Sequence, residues 1–589
     1  MKNGEIAKIL LDIGEYLKMQ EEPFRPKAYE KAGRVISDLE ISVHDLYRDG
    51  GVKALGKISG VGVSIAEKIE EFLKTGRIKY YEDLKKKTPV DLETLTRVEG
   101  LGPQKIKVLY YKLKIRNIRD LEKAASSGRI AKLKGFGRKS EENILKGIEF
   151  IKKSGKRFTL GEVLPTAKDI EGRLSRVSGI EKIVIAGSVR RRKETIGDID
   201  ILAVSKKPEA IVSVFISMDE VGMVIAEGKT KASVKLNNGL DVDLRIVDRR
   251  SYGAALNYFT GSKEHNIKLR NIAIKKGYKL NEYGLFSAKK TLGSGEKSWR
   301  KIAGENEDGL YKKLGLNYIP PEIRENEGEI ELSSQDKLPK LIGYEDLKGD
   351  LQIQTSWTDG ADSIELMARQ AIKMGLEYIA VTDHTKRLAM TNGLNERRIR
   401  EQIREIEKLN LKFKTQNLKF RILKGTECDI LKDGSLDLPD GILSKLDIVG
   451  ASIHSYFNLS KRDQTDRLKK AMSNKNVDII FHPTGRLINK RPAYEIDIEE
   501  IIEFAEKTKT VLEINSFPDR LDLRDEQIRM CVQKGVKMSI DSDAHSMGHM
   551  KYLEYGIAQA RRGWAKKGDI INAWPIDKML AFLKENKSK

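Results

Sequence analysis

The 589-residue sequence carries 109 Lys and Arg against 87 Asp and Glu, a formal net charge of +22, and its length corresponds to roughly three to five domains. Two cysteines, Cys428 and Cys531, exclude a disulfide framework, no stretch is apolar and long enough to span a membrane, and charges interrupt MKNGEIAKILLDIGEYLK where a signal peptide needs an apolar core. A reducing, cytoplasmic setting without membrane contact is therefore the expectation. The charge is uneven: residues 1–300 hold 61 basic against 40 acidic side chains, residues 351–589 hold 41 against 35, so a polyanionic partner is expected on the first half.

Residues 1–85 read as short amphipathic helices closing on KISGVGVSIAEKIEEFLKTGRI, and residues 86–155 contain two similar pieces, VEGLGPQKIKVLYYKL and LKGFGRKSEENILKGI. Each places a GxG turn before a helix: Gly60 and Gly62, Gly100 and Gly102, Gly135 and Gly137. These pieces resemble helix-hairpin-helix units, in which glycines let the turn approach a DNA phosphate and free helix N–H groups receive it without reading base identity. After the first hairpin, Ile65, Ile69, Phe72 and Leu73 follow the spacing of a buried helix stripe, with Lys68 at its flank.

From Gly187 to Val204 the chain reads GSVRRRKETIGDIDILAV, a strand, a basic turn and a second strand. Alternation puts Asp198 and Asp200 on one face, and paired carboxylates beside a basic turn are the arrangement that holds Mg²⁺ between substrate phosphates. In LDVDLRIV, from Leu240, Asp241 and Asp243 also share a face, and periodicity leaves open which of them completes the site. YGAALNYFTGSKEHN follows. The GS turn followed by DxD resembles the nucleotidyltransferase superfamily, and GSVRR with GDIDIL resembles the family X DNA polymerases.

That resemblance implies several roles. Asp243, which precedes an apolar residue and Arg, matches the third metal aspartate beside Asp198 and Asp200. Arg157, Gly187, Ser188, Arg191 and Gly197 match triphosphate contacts, YFTGS matches the dNTP-binding turn with Tyr258, Phe259 and Gly261, and Asn266 would reach the minor-groove edge. His265 is read as a surface residue. Monovalent cations would bind carbonyls of Ile58 and Val61, and of Thr96, Val98 and Leu101. Lys68 matches the Schiff-base nucleophile of a 5'-deoxyribose phosphate lyase domain, with Tyr29 beside it and Arg25 serving the 5'-phosphate. Ser64 stands where such lyases carry a phosphate-binding lysine, so weak or lost lyase chemistry is expected.

Around 320–348 the composition turns acidic and proline-bearing, with 12 acidic against 7 basic residues from 301 to 350. Beyond it, six apolar runs end in ligand-type residues: LEYIAVTDH, FRILKGTECDI, LDIVGASIH, VDIIFHP, TVLEINS and VKMSIDSDAH. Groups at successive parallel strand ends mark the active face of a βα barrel. His384, His454, His482 and His545 with Glu427 and Asp543 are the residue types of a transition-metal cluster. TDH, GTECDI, SIHS, HPTGR and DSDAH resemble the PHP (polymerase and histidinol phosphatase) domain, a distorted seven-fold barrel. The resemblance implies Zn²⁺ or Mn²⁺ at Asp359, His384 and His545 and at Glu427, His454 and His482. A PHP domain opens with a His-x-His pair, but GDLQIQTSWTDG puts Gln352 and Gln354 there. A third site keeps only Glu427 and Asp543, and weak or absent 3'-5' exonuclease is the expectation.

The sequence thus predicts a multidomain α+β and α/β chain: a lyase-like helical domain at 1–85, fingers at 86–155, a nucleotidyltransferase palm and thumb at 156–321, a linker at 322–348 and a (β/α)7 PHP barrel at 349–589. The expected function is DNA-directed DNA polymerase filling short gaps in repair, a monomer acting on gapped or nicked DNA with dNTP and Mg²⁺. Two alternatives stand beside it: a non-catalytic DNA-end-binding scaffold, and a nucleotidyltransferase acting on RNA or a small molecule.

Overall fold

Each glycine turn of the first 155 residues starts a helix. In the computed structural model, which describes residues 2–39, 42–58, 60–96, 98, 100–154, 157–290 and 297–587, helices Val63–Thr75, Pro103–Leu113 and Arg138–Ser154 begin directly after Gly62, Gly102 and Gly137. Gly60, Gly100 and Gly135 take φ of +78°, +78° and +88°, a region closed to most L-residues by their Cβ. Ile65, Ile69 and Phe72 are buried and Leu73 is half-buried, as the spacing requires. One connected apolar core runs from Ile6 to Ile148, so residues 1–85 and 86–155 share an interior.

The chain divides into two compact units, one of residues 1–155 and one of residues 156–488 and 493–589. The boundary expected between 155 and 156 falls on two residues outside the described ones.

The second unit begins with a five-stranded sheet ordered Ile180–Ile185, Asp198–Ser205, Asp241–Ile246, Lys231–Leu236, Val221–Glu227. Its two central strands run parallel, pairing Asp198 with Asp241 and Asp200 with Asp243. Alternate residues Ile199, Ile201, Val242 and Leu244 are buried under helix Leu160–Leu174, which leaves the aspartates on the open face. A three-stranded antiparallel sheet follows at Tyr278–Asn281, Gly284–Lys290 and Lys297–Ala303.

The segment 322–348 is packed rather than open. Ile323 and Ile330 join a core with Leu269, Tyr311 and Trp564, Arg324 is fully buried, and a helix spans Glu329–Ser334. Its acidic residues are consumed as ion-pair partners: Glu322 meets Arg561 at 2.8 Å and Glu325 meets Arg562 at 3.1 Å.

Seven parallel strands then run in chain order from Gly349–Ile353 to Met538–Asp541, alternating with helices as a βα barrel requires. Ser542 N donates to Asp350 at 3.1 Å, Leu351 N donates to Asp541 at 2.9 Å and Gln354 N to the Ala544 carbonyl at 2.8 Å, which ties the first strand to the last. Strand residues Leu351, Ala380, Leu423, Ile479 and Val511 cluster with Ile571, Trp574, Met579 and Leu583, while Ile353, Ile379, Ile422, Ile480 and Leu512 belong to a second core cluster, with helix residues. The barrel also packs on the palm sheet's core through Ile488, Leu521 and Tyr555.

Candidate functional site

The palm site is built by a close approach that only glycine permits. Gly187 has φ +61°, and a Cβ there would lie 2.1 Å from Asp200 Oδ2. The expected turn contains one helical turn, Gly187–Arg190, and Ser188 Oγ is buried with no hydrogen-bond partner among the described residues. Burial, then the carboxylates of Asp198 and Asp243, push the Asp200 carboxyl up to about 7. Burial and Asp243 raise Asp198, against the pull of Arg157. Like charges crowded this way favour a proton or a cation. Asp243 accepts from Ser233 Oγ, whereas Asp241 is held by the Lys235 ammonium; Asp243 raises both Asp198 and Asp200, and Asp241 adds a smaller push on Asp198.

Around the carboxylates, Arg157 donates from Nη2 to the Thr195 carbonyl at 2.7 Å, and a Cβ at Gly197 would stand 3.2 Å from its Nη1. Arg191 donates to the Thr260 carbonyl and, at 3.1 Å, to Glu325. Tyr258 and Phe259 lie in the last turn of helix Tyr252–Thr260, edge to face at 5.2 Å, and Gly261 follows at φ +72°. Arg245 sits 5.1 Å from the Phe259 ring. Asn266 donates to the Tyr258 carbonyl at 2.7 Å and lines one groove with Asn257, Tyr258 and Arg270.

His265 is not a surface residue. It is fully buried, with Nδ1 2.6 Å from Glu329 and Nε2 2.9 Å from the Tyr311 hydroxyl. The polar reading of SKEHN failed because Glu329, sixty-four positions later, returns to partner it. Beside it Glu307 bridges Arg190, at 2.7 Å, and the buried Arg324, at 2.6 Å.

In the helical unit, Lys68 donates to Ser64 Oγ at 3.0 Å and lies 5.2 Å from the Tyr80 ring. Tyr29 is buried and stacks on Tyr80 at 6.4 Å, and Arg25 donates to the Tyr80 hydroxyl at 2.8 Å. Tyr80 thus joins all three expected residues; it carries no motif, only a position in KYYEDL. The carbonyls of Ile58 and Val98 each accept one N–H, from Val61 and Leu101 at 3.0 Å, with a second lone pair remaining. Thr96 ends the helix Leu92–Thr96.

At the carboxyl ends of the barrel strands the expected ligands converge. Asp359, His384 and His545 offer ligand atoms within 4.8 Å of one another, as do His384, Glu427 and His454. His482 Nε2 lies 2.9 Å and His454 Nε2 3.2 Å from Glu427 Oε1. Although burial works the other way, Asp429 and Glu427 push His454 up to about 9, and the histidines hold Glu427 well below the usual carboxylate range. These residues fit a metal: imidazoles and carboxylates that offer ligand atoms close together, with His384 Nδ1 and His482 Nδ1 buried and without a hydrogen bond among the described residues. The His-x-His position does not fit one. Gln352 and Gln354 are buried there, and Gln354 Nε2 donates to Glu427 at 2.7 Å. Asn515 Nδ2 reaches both Gln352 Oε1 and Asp543 Oδ2 at 3.2 Å, and Arg520 Nε stands 3.6 Å from Asp543. Asn515 and Arg520 went unread in the sequence, because TVLEINS was recognised as a strand but no ligand spacing singled out a donor after it.

The chain is 39% identical over 589 residues, the full length of both proteins, to the DNA polymerase/3'-5' exonuclease PolX of Bacillus subtilis (strain 168). It belongs to the PolX family. Family models agree along its length: a helix-hairpin-helix domain at residues 1–78, a SAM-like helix-hairpin-helix tandem at 92–149, a DNA polymerase beta thumb at 255–325 and a PHP domain at 350–517. Over 237 residues the chain is 33% identical to a probable phosphatase of Thermoanaerobacter sp. (strain X514), covering 38% of this chain and 88% of that protein. PolX membership and the two ligand groups make the barrel a candidate metal centre, and no helix among the described residues is long and apolar enough to cross a membrane.

Proposed function

We propose that this PolX-family chain is a DNA-directed DNA polymerase that fills short gaps in DNA during repair. The observation that carries the reading is the set of three carboxylates on two parallel strands, pressed against a glycine-serine turn whose Ser188 hydroxyl is buried and unpartnered among the described residues. Asp198, Asp200 and Asp243 would hold Mg²⁺, which supplies activation of the primer 3'-hydroxyl and charge neutralisation at the α-phosphate. Ser188, Arg191 and Arg157 receive the triphosphate. Arg191 starts from bonds of Nε to Glu325 and of Nη1 to the Thr260 carbonyl. Tyr258 and Phe259 face the sugar and base, and Asn266 reads the minor-groove edge. Primer extension on a gapped substrate tests this reading.

The three hairpins hold the DNA through phosphates, with monovalent cations at the carbonyls of residues 58 and 61 and of residues 96, 98 and 101. Binding should therefore weaken steeply with salt, with a log-log slope of about 0.9 per phosphate neutralised in duplex regions. Titration by fluorescence anisotropy across salt checks it, and a flat response contradicts phosphate-led binding. Removing the barrel is a poor control, since it would bare the palm surface packed on Ile488, Leu521 and Tyr555.

Lys68 is the lyase nucleophile of this reading; it donates to Ser64, which stands where a phosphate-binding lysine would be and brings no charge, so the lyase activity is weak or lost. Lys68→Ala should abolish whatever borohydride trapping on an abasic 5'-phosphate substrate the unsubstituted protein shows. Trapping that survives the substitution places the nucleophile elsewhere. The barrel, on the same reading, binds Zn²⁺ or Mn²⁺ at two positions and carries a weak or lost 3'-5' exonuclease, because two glutamines occupy the third position.

A further inference from the structure

Glu427 and Asp543 are buried, and without the two imidazoles they still require a counter-charge. His454 and His482 meet Glu427 from one side and His545 lies 3.9 Å from Asp543; on the side where the two imidazoles would stand, the structure offers amides and one guanidinium. Gln354 Nε2 donates to Glu427 at 2.7 Å, Asn515 Nδ2 donates to Asp543 at 3.2 Å, and Arg520, on the turn after strand Val511–Asn515, brings Nε to 3.6 Å from Asp543 Oδ2. The Arg520 side chain is 19% exposed, so part of it remains accessible to solvent while Nε meets the carboxylate. Gln352 Nε2 is buried and has no hydrogen-bond partner among the described residues, while its Oε1 accepts from Asn515.

We propose that Arg520 replaces the third metal of the barrel: its guanidinium supplies the positive charge beside Asp543, keeps a cation out of that position, and with the Gln352 amide binds an oxygen of a phosphate ester seated on the other two metal positions. The proposal rests on the two-metal reading above. A guanidinium suits this role because it keeps its charge at any working pH and its planar N–H fork matches a phosphate. Gln352 and Arg520 then form one recognition pair, and the glutamines are partners of an arginine rather than remnants of a lost site.

Zinc bound to the full-length chain is counted by inductively coupled plasma mass spectrometry in Mg²⁺ buffer, where the all-carboxylate palm takes magnesium. The unsubstituted chain should hold two zinc ions. Gln352→His with Gln354→His should still hold two while Arg520 is present, and three once Arg520→Ala is added. Inorganic phosphate should slow zinc release to a coloured chelator by about tenfold, and Arg520→Ala should remove that protection while Arg520→Lys keeps part of it. Retention of two zinc ions by Arg520→Ala shows that the variant is folded. Three zinc ions in the double histidine variant with Arg520 intact would overturn the proposal, as would undiminished phosphate protection in Arg520→Ala. Fewer than two zinc ions in the unsubstituted chain would overturn the two-metal reading beneath it.

Discussion

Asp243→Ala should leave the purified chain unable to extend a primer, a fall of roughly a thousandfold or more in rate, with affinity for gapped DNA close to that of the unsubstituted protein. The strand Asp241–Ile246 keeps its buried face in this variant, since Val242 and Leu244 carry the packing and Asp243 lies on the open side. What is lost is one of the two neighbouring carboxylates that, after burial, hold the Asp200 carboxyl up at about 7. Asp241→Ala is the matched control: it releases Lys235 at an exposed edge and should keep most of the extension rate. Extension retained in Asp243→Ala, or lost only in Asp241→Ala, would exchange the two roles.

Glu307→Gln should destabilise the palm and thumb by about 3–5 kcal/mol, the range for breaking a buried ion network by removing one partner. Glu307 sits between Arg190 and the fully buried Arg324, and Tyr311 and Tyr318 flank the latter, each ring 5.3 Å from the guanidinium. Burial alone would raise the Glu307 carboxyl, but Arg324 and Arg190 overcome it and hold it down to about 2. A depressed carboxyl contributes stability that is fully present above its unfolded value, 4.5, and is lost as pH falls toward 2. Urea midpoints at pH 7 and at pH 3 check both statements. The variant should unfold earlier at pH 7, and the gap from the unsubstituted protein should narrow at pH 3. Equal midpoints at pH 7 would contradict the network.

The legible parts of the chain were those fixed by short-range pattern. The three GxG turns, the alternation that puts Asp198 with Asp200, and the six strand ends each repeat a local rule, and the strands and helix starts stand where those rules put them. What sequence left hidden depends on partners far away in the chain. His265 looked solvated because Glu329 and Tyr311 lie 64 and 46 positions on. The acidic segment 322–348 looked like a linker because its arginine partners, Arg561 and Arg562, come more than two hundred residues later. Tyr80 and Arg520 sit in no motif; each matters through what folding sets beside it. Asp241 and Asp243 could not be ranked by periodicity; the family pattern pointed to Asp243, and in the fold the ion pair of Asp241 to Lys235 and the bond of Ser233 to Asp243 distinguish them.

The most direct test of the account is primer extension by the purified full-length protein on DNA with a one-nucleotide gap, with dNTPs and Mg²⁺. The account predicts templated addition of one nucleotide, abolished by chelation and by Asp243→Ala. Binding to the gap without any addition would mark a DNA-end scaffold, and addition only to RNA or to a small acceptor would mark a different nucleotidyltransferase; either result would contradict the polymerase.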